Sequence, residues 1–204
     1  FKFFDKVELI INIFMKVLGR NEILKTYIKK DNPIIFDIGA NDGSSANDFR
    51  YLFPNSMLHL FEPNPDCLEC LNKSFKDSPA KINNLAVSNN NEKKLLFINS
   101  NNETSSFYEL DLNGFYSKRG IKNKENILVD SITLDNYIKN EEISSVDFLK
   151  IDTQGHSYEV LEGAIESIKA GLFNLVQVEV ITGDCYLKKD NLINIIKIMS
   201  EFDY

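Results

Sequence analysis

No apolar run in this 204-residue chain approaches the roughly 18 to 20 residues of a membrane-crossing helix, so no transmembrane segment is expected. A secretory leader is disfavoured too, because Asp5, Lys6, Glu8 and Lys16 interrupt the apolar stretch that such a peptide requires. Cysteine is scarce and odd in number. Cys67, Cys70 and Cys185 cannot build a disulfide framework, which fits a reducing compartment and makes the cytoplasm the expected location. Cys67 and Cys70 do form C-x-x-C, but inside a helical stretch, where a spacing of three puts both on one face and packing explains them as well as redox chemistry. Only His59 and His156 are available to join them, with no second C-x-x-C and no H-x-x-x-H, so no metal site is expected. Positive charge is also short: 23 Lys and Arg against 30 Asp and Glu give a net charge of −7, which argues against a nucleic-acid surface. No internal repeat is evident, and the chain opens on Phe1 rather than Met, as a trimmed sequence would.

What the chain does contain is organised around Ile34-Ile35-Phe36-Asp37-Ile38-Gly39-Ala40-Asn41-Asp42-Gly43. Pro33 suits the start of a strand, the branched and aromatic residues suit one buried on both faces, and Gly39 and Gly43 supply a turn that lets a ligand approach the backbone. Ser44 or Ser45 then caps the following helix. The dinucleotide fingerprint G-x-G-x-x-G is missing; the spacing here is D-x-G-x-x-x-G. A carboxylate at Asp37 would oppose a pyrophosphate and favour a cationic ligand, for which S-adenosylmethionine, with an ammonium, a sulfonium and no phosphate, is the natural choice. The plainer alternative is that Asp37 caps a turn and Gly43 closes one. The second apolar strand, Met57 to Phe61, ends in Glu62-Pro63-Asn64-Pro65, where an acidic residue about 20 or more positions beyond the glycine loop receives the ribose hydroxyls of an adenosine.

Elsewhere, apolar positions from Phe3 to Leu18 recur at helical spacing and Asn21 to Lys30 reads as a second short helix, so residues 1–30 are expected to form a helical cap on a domain over 31–204. Helices are expected at Ser44 to Phe53, Pro65 to Phe75, Leu134 to Lys139, Tyr158 to Ala170 and Leu192 to Phe202. Strands are expected at Lys81 to Val87, Lys94 to Asn99 (pairing as a hairpin), Ile127 to Ile132, Val146 to Asp152 and Leu175 to Val180. The polar stretch from Asn101 to Lys124, with scattered aromatics, suits either a lid over the pocket or a disordered surface loop. The alternation calls for an α/β fold, a mostly parallel sheet with helices on both faces and a ligand at the carboxyl ends of the strands.

In order along the chain, FDIGANDG, FEPNP, LAVS, ITLDNYI, DFLKIDTQGHSYEVLEGA and VQVEV resemble the FkbM family of S-adenosylmethionine-dependent methyltransferases, from about Pro33 to Val180. The resemblance implies a Rossmann-like class I methyltransferase fold and O-methylation of a hydroxyl on a small acceptor, a sugar, glycan or natural product. It also implies that Asp37, Gly39, Ala40, Asn41 and Gly43 hold the methionine end, Glu62 the ribose with Pro63 beside it, and that Ala86 lies by the adenine. Asp152, at the end of the fourth main strand, is the first choice to orient or deprotonate the acceptor and to touch the cofactor; His156 is a candidate general base, and Lys150 would tune Asp152 or stabilise an oxyanion. The plainer readings are a helix cap, a surface histidine and a strand-end charge. Asp152 also suits Mg²⁺, but no second carboxylate is clearly placed, so metal is left out. Two departures stand out: Ser157 replaces an acidic residue common in the family, and the sixth and seventh strands that normally close the fold are missing before Tyr204. The alternatives are a nicotinamide-dependent oxidoreductase on a similar sheet and a non-catalytic, cofactor-binding relative.

Overall fold

A computed structural model describes residues 9–11, 19–188, 190 and 192–202. The elements run β1 (Leu9–Ile11), α1 (Arg20–Tyr27), β2 (Ile34–Ile38), α2 (Ser44–Leu52), β3 (Met57–Phe61), α3 (Pro65–Ser74), β4 (Ala80–Asn83), β5 (Ala86–Val87) and β6 (Lys93–Asn99). They continue with α4 (Phe115–Lys118), β7 (Asn123–Ile132), α5 (Leu134–Asn140), β8 (Phe148–Ile151), α6 (Ser157–Glu162), α7 (Ile165–Lys169), β9 (Val176–Val178) and α8 (Leu192–Glu201). Six strands form one sheet in the order β1-β9-β8-β2-β3-β4, every neighbouring pair parallel. The chain leaves the central strand β2 toward β3 and β4, then returns on its other side at β8. That reversal opens a crevice above the carboxyl ends of β2 and β8, where open α/β sheets bind ligands.

Side chains alternate across the sheet with the period of two that strands impose. Ile35, Leu58, Leu60, Phe148 and Leu175 pack under α1, α2 and α3 with Leu24, Phe49 and Leu71. Phe36, Ile38, Phe61, Leu149, Ile151 and Val178 face the opposite layer with Tyr137, Val160, Ile168 and Ile195. By the same alternation Asp37 and Lys150 point toward the first of these layers, and they are direct register partners on adjacent strands. Both faces are thus covered, as the alternating pattern required.

Four expectations are corrected. Residues 9–11 are a strand beside β9 instead of part of a helix; the rest of the range 1–18 lies outside the described residues. The stretch from Lys81 to Val87 divides: β4 joins the main sheet, while β5 joins β7 in a second, three-stranded sheet with β6. The strand β6 accordingly pairs antiparallel with β7 and makes no hairpin with its predecessor. The helix expected from Tyr158 to Ala170 is interrupted at Gly163, where a Cβ would come within 2.0 Å of the Ser88 carbonyl oxygen. That break lets the β5 end pass close to the helix pair.

Candidate active site

The centre of the crevice is a buried ion cluster. Lys150 Nζ lies 3.0 Å from Asp37 Oδ1 and 3.2 Å from Asp152 Oδ2. Burial alone would lower the Lys150 pKa, but the two carboxylates outweigh it and hold the ammonium charged. Burial pushes Asp37 up and Lys150 opposes that shift. For Asp152, whose side chain keeps 30% exposure, burial is outweighed by Lys150 and neighbouring donors, which hold its carboxyl below the usual range. We take Asp152 as ionised and Lys150 as its fixed counter-charge, since opposite charges at hydrogen-bond distance favour the charged forms.

Beside this cluster stands the acidic residue of the VQVEV segment. Glu179, one residue past β9, has its pKa raised to about 8 by burial and by the Asp152 carboxylate. Gln154 Nε2 donates to Glu179 Oε2 at 2.9 Å and to Asp152 Oδ1 at 3.2 Å. Its Oε1 in turn accepts from the Tyr116 hydroxyl at 3.2 Å and the Tyr186 hydroxyl at 3.1 Å. The legible signal was an acidic residue ending an apolar strand, the same cue that singled out Glu62. Gln154 and the tyrosines carried none, because their convergence depends on loop paths.

From these groups a cavity of about 320 Å³ runs along the β2–α2 loop, within the size range of small-molecule sites. Gly39, Ala40 and Asn41 line it, as do Glu62, Pro63 and Ala86. Glu62 is 7% exposed; its Oε2 accepts from the Asn41 N–H at 2.8 Å and its Oε1 from the Asn64 N–H at 2.8 Å. Burial nevertheless pushes its pKa up to about 7. Asn41, at φ +48, is steadied by the Cys67 thiol, which donates to its Oδ1 at 3.0 Å. Cys67 is buried and Cys70 exposed, so the C-x-x-C pair does not share one environment. The far end is apolar, walled by Phe61, Val87, Leu96 and Phe107 around Ala86. Of the stretch from Asn101 to Lys124, Asn102, Glu103, Ser105, Ser106 and Phe107 line the cavity, and the Ser106 hydroxyl donates to the Gln154 carbonyl at 2.7 Å. This part of the stretch, expected as a lid or a disordered loop, is a wall of the cavity.

Several residues sit differently from expectation. Asp37 is fully buried and does not line the cavity; it meets it through Lys150. Gly39, at φ +84, is needed for a neighbour's backbone: a Cβ there would lie 2.0 Å from the Asp152 carbonyl oxygen. Gly43, at φ +90, lies outside the cavity lining, packed so that a Cβ would be 2.9 Å from Phe75. Neither Ser44 nor Ser45 caps α2 with its side chain; Asp42 Oδ1 accepts from the Ser44 N–H at 3.0 Å. His156 lies outside the lining too, buried, with Nε2 2.9 Å from Ser88 Oγ and Nδ1 3.3 Å from the Tyr108 hydroxyl. Burial lowers its pKa to about 4, so it is neutral at pH 7. The acidic group absent at Ser157 is supplied from elsewhere: Asp190 accepts the Ser157 and Tyr158 N–H groups at 3.0 and 2.9 Å. Among the described residues no three His, Cys, Asp or Glu side chains are grouped to hold a metal ion, and no helix is long and apolar enough to cross a membrane.

Residues 37–204 match the methyltransferase FkbM domain. The chain is 29% identical over 152 residues to the 2-O-methyltransferase NoeI of Sinorhizobium fredii, an alignment covering 69% of this chain and 61% of that protein. It is 20% identical over 164 residues to the hexuronic acid methyltransferase AglP of Haloferax volcanii, covering 78% of this chain and 62% of that one. The chain therefore spans less than two thirds of the length of these curated relatives. A solved structure, a methyltransferase FkbM from Methylobacillus flagellatus, superposes with a TM-score of 0.53 at 16% identity, over 83% of this chain and 37% of that one, and shares the fold.

Proposed function

The chain belongs to the FkbM methyltransferase family, and we propose that it transfers a methyl group from S-adenosylmethionine to a hydroxyl of a sugar or a similar small acceptor. The observation that carries this reading is one continuous cavity with Glu62 along its wall, an apolar end at Ala86 and the Lys150–Asp152–Glu179 cluster at the other end. The residues fit that cofactor. Each Glu62 oxygen accepts one backbone N–H and keeps a lone pair for a ribose hydroxyl. With Asp152 ionised and Asp37 and Glu179 beside it, the cluster sets three carboxyl groups against the one ammonium of Lys150, an acidic surrounding that suits a sulfonium and opposes a pyrophosphate. That surrounding is also what disfavours a nicotinamide-dependent oxidoreductase.

When bound, S-adenosylmethionine supplies an electrophilic methyl carbon. The protein's share is then alignment and proton acceptance. Asp152, partly open to the cavity, would orient the acceptor hydroxyl and take its proton. Lys150 already bridges two carboxylates, so its part is to hold Asp152 ionised and in position. Gly39, Ala40 and Asn41 would pass along the methionine end, and Pro63 and Ala86 would flank the base. The hexuronic acid methyltransferase named above supports a sugar as the acceptor, and the 2-O-methyltransferase supports oxygen as the methylated atom. Transfer of radiolabelled methyl from S-adenosylmethionine to a panel of hexuronic acids and neutral hexoses tests the reading. Label should enter at least one sugar, and Asp152→Asn should lower kcat by about 10²- to 10⁴-fold with S-adenosylhomocysteine affinity kept. Full activity in Asp152→Asn, or cofactor binding with no transfer to any hydroxyl, would overturn it.

A further inference from the structure

Asp152 and Glu179 reach the cavity from the ends of adjacent strands, and one side chain holds both. Gln154 gives its two amide hydrogens to the two carboxyl groups, at 3.2 and 2.9 Å, while its carbonyl oxygen accepts from the Tyr116 hydroxyl at 3.2 Å; the Tyr186 hydroxyl lies 3.1 Å from that oxygen and shares its proton with the Thr104 carbonyl at 2.8 Å. The amide is held in this orientation because flipping it would turn its oxygen toward the ionised Asp152 carboxylate, an acceptor facing an acceptor. Gln154 also sits at φ +52, a region uncommon for residues other than glycine. Such a conformation persists where the surroundings over-determine it.

Resting on the methyltransferase reading above, we propose that Asp152 and Glu179 form a carboxyl pair sharing one proton, which is the proton-accepting centre of the site, and that Gln154 is its positioning residue. As the acceptor oxygen bonds to the methyl carbon, the carbon–sulfur bond breaks with its electron pair left on sulfur, and the hydroxyl proton passes to Asp152. The pair then carries two protons and returns one to solvent. The groups facing Glu179 support this count: Asp152 raises its pKa, Lys150 from β8 lowers it, Asp190 raises it weakly, and Tyr116 and Tyr186 are neutral with raised pKa values. With Glu179 titrating at about 8, the pair carries a single negative charge at neutral pH and gains a second above it.

That second charge is measurable without an acceptor. S-adenosylmethionine and S-adenosylhomocysteine differ by one methyl and by the sulfonium charge, so the pH dependence of their shared amino and carboxyl groups cancels in the ratio of their affinities. Calorimetric titrations of both ligands at intervals from pH 6.5 to 9 should show the ratio moving toward S-adenosylmethionine by on the order of tenfold in the wild type. In Glu179→Gln the ratio should stay flat. Gln154→Ala should move the midpoint to higher pH, because Glu179 loses a donor to its ionised form. A flat ratio in the wild type, with both ligands bound, overturns the pair; a shift surviving Glu179→Gln overturns the assignment to Glu179. Failure of both ligands to bind overturns the cofactor reading and this inference with it. A readout that needs no variant is ¹³C NMR of glutamate carboxyls, where two signals should titrate above pH 6, from Glu62 near 7 and Glu179 near 8. Absence of the signal near 8 would contradict the proposal.

Discussion

Replacing Lys150 by Met removes the ammonium that is hydrogen-bonded to both Asp37 and Asp152. The side chains of Lys150 and Asp37 are 5% and 0% exposed, so solvent does not screen their attraction and water cannot replace the lost ammonium. Deleting one partner of a buried pair costs about 3–5 kcal/mol, because the other charge stays buried and unpaired. In a chain of this size each kcal/mol moves Tm by about 2–4 °C, so Lys150→Met should melt about 6–20 °C below the wild type. Thermal unfolding followed by circular dichroism reads this directly. Without its ammonium Asp37 prefers protonation in the folded state more strongly than in the unfolded chain. The native state then binds the extra proton, and the loss should be smallest near pH 4 and grow toward neutrality. Lys150→Met with Asp37→Leu should recover at least half of the loss, since replacing a whole buried pair by apolar groups is often close to neutral. A single variant melting within 2 °C of wild type, or a double variant no more stable than the single, would refute the reasoning.

Glu62→Ala should weaken S-adenosylhomocysteine binding by roughly 10- to 100-fold, the scale of losing hydrogen bonds to a charged acceptor, and calorimetry checks it. Because burial raises Glu62 to about 7 and hydroxyl donors favour its ionised form, wild-type affinity should rise as pH climbs through 7; a flat profile from pH 6 to 8 would count against this role. The chain has two histidines, both lowered to about 4 by burial, so neither imidazole signal should titrate by NMR between pH 5.5 and 8. Gly39→Ala should destabilise by roughly 2–6 kcal/mol in urea unfolding, combining an unfavourable φ with a backbone clash against Asp152; a loss under 1 kcal/mol would mean that the two loops separate freely.

Much of the layout was legible because it rests on local pattern. The run from Ile34 to Ile38 and the later strands are apolar on both faces, and only a sheet covered on both sides explains that. Glu62 was legible because register places it at a strand end. The misplaced details share a cause: they depend on contacts between segments distant in sequence. Asp37 reads as a surface carboxylate of the pocket until Lys150, 113 residues later, is seen to cover it. His156 reads as a base in the motif, yet the turn after β8 drives it into a pocket formed by Ser88, Phe107 and Tyr108. Gly39 read as space for a ligand is space for the Asp152 carbonyl. Glu179 and Gln154 became a pair with Asp152 only once β9 was placed beside β8.

The most direct test is a crystal structure of this chain soaked with S-adenosylhomocysteine. The account expects the ribose hydroxyls on Glu62, the adenine against Ala86 and the sulfur facing the Asp152 end of the cavity. Density outside the cavity, or an adenosine turned so that Glu62 contacts no hydroxyl, would contradict it.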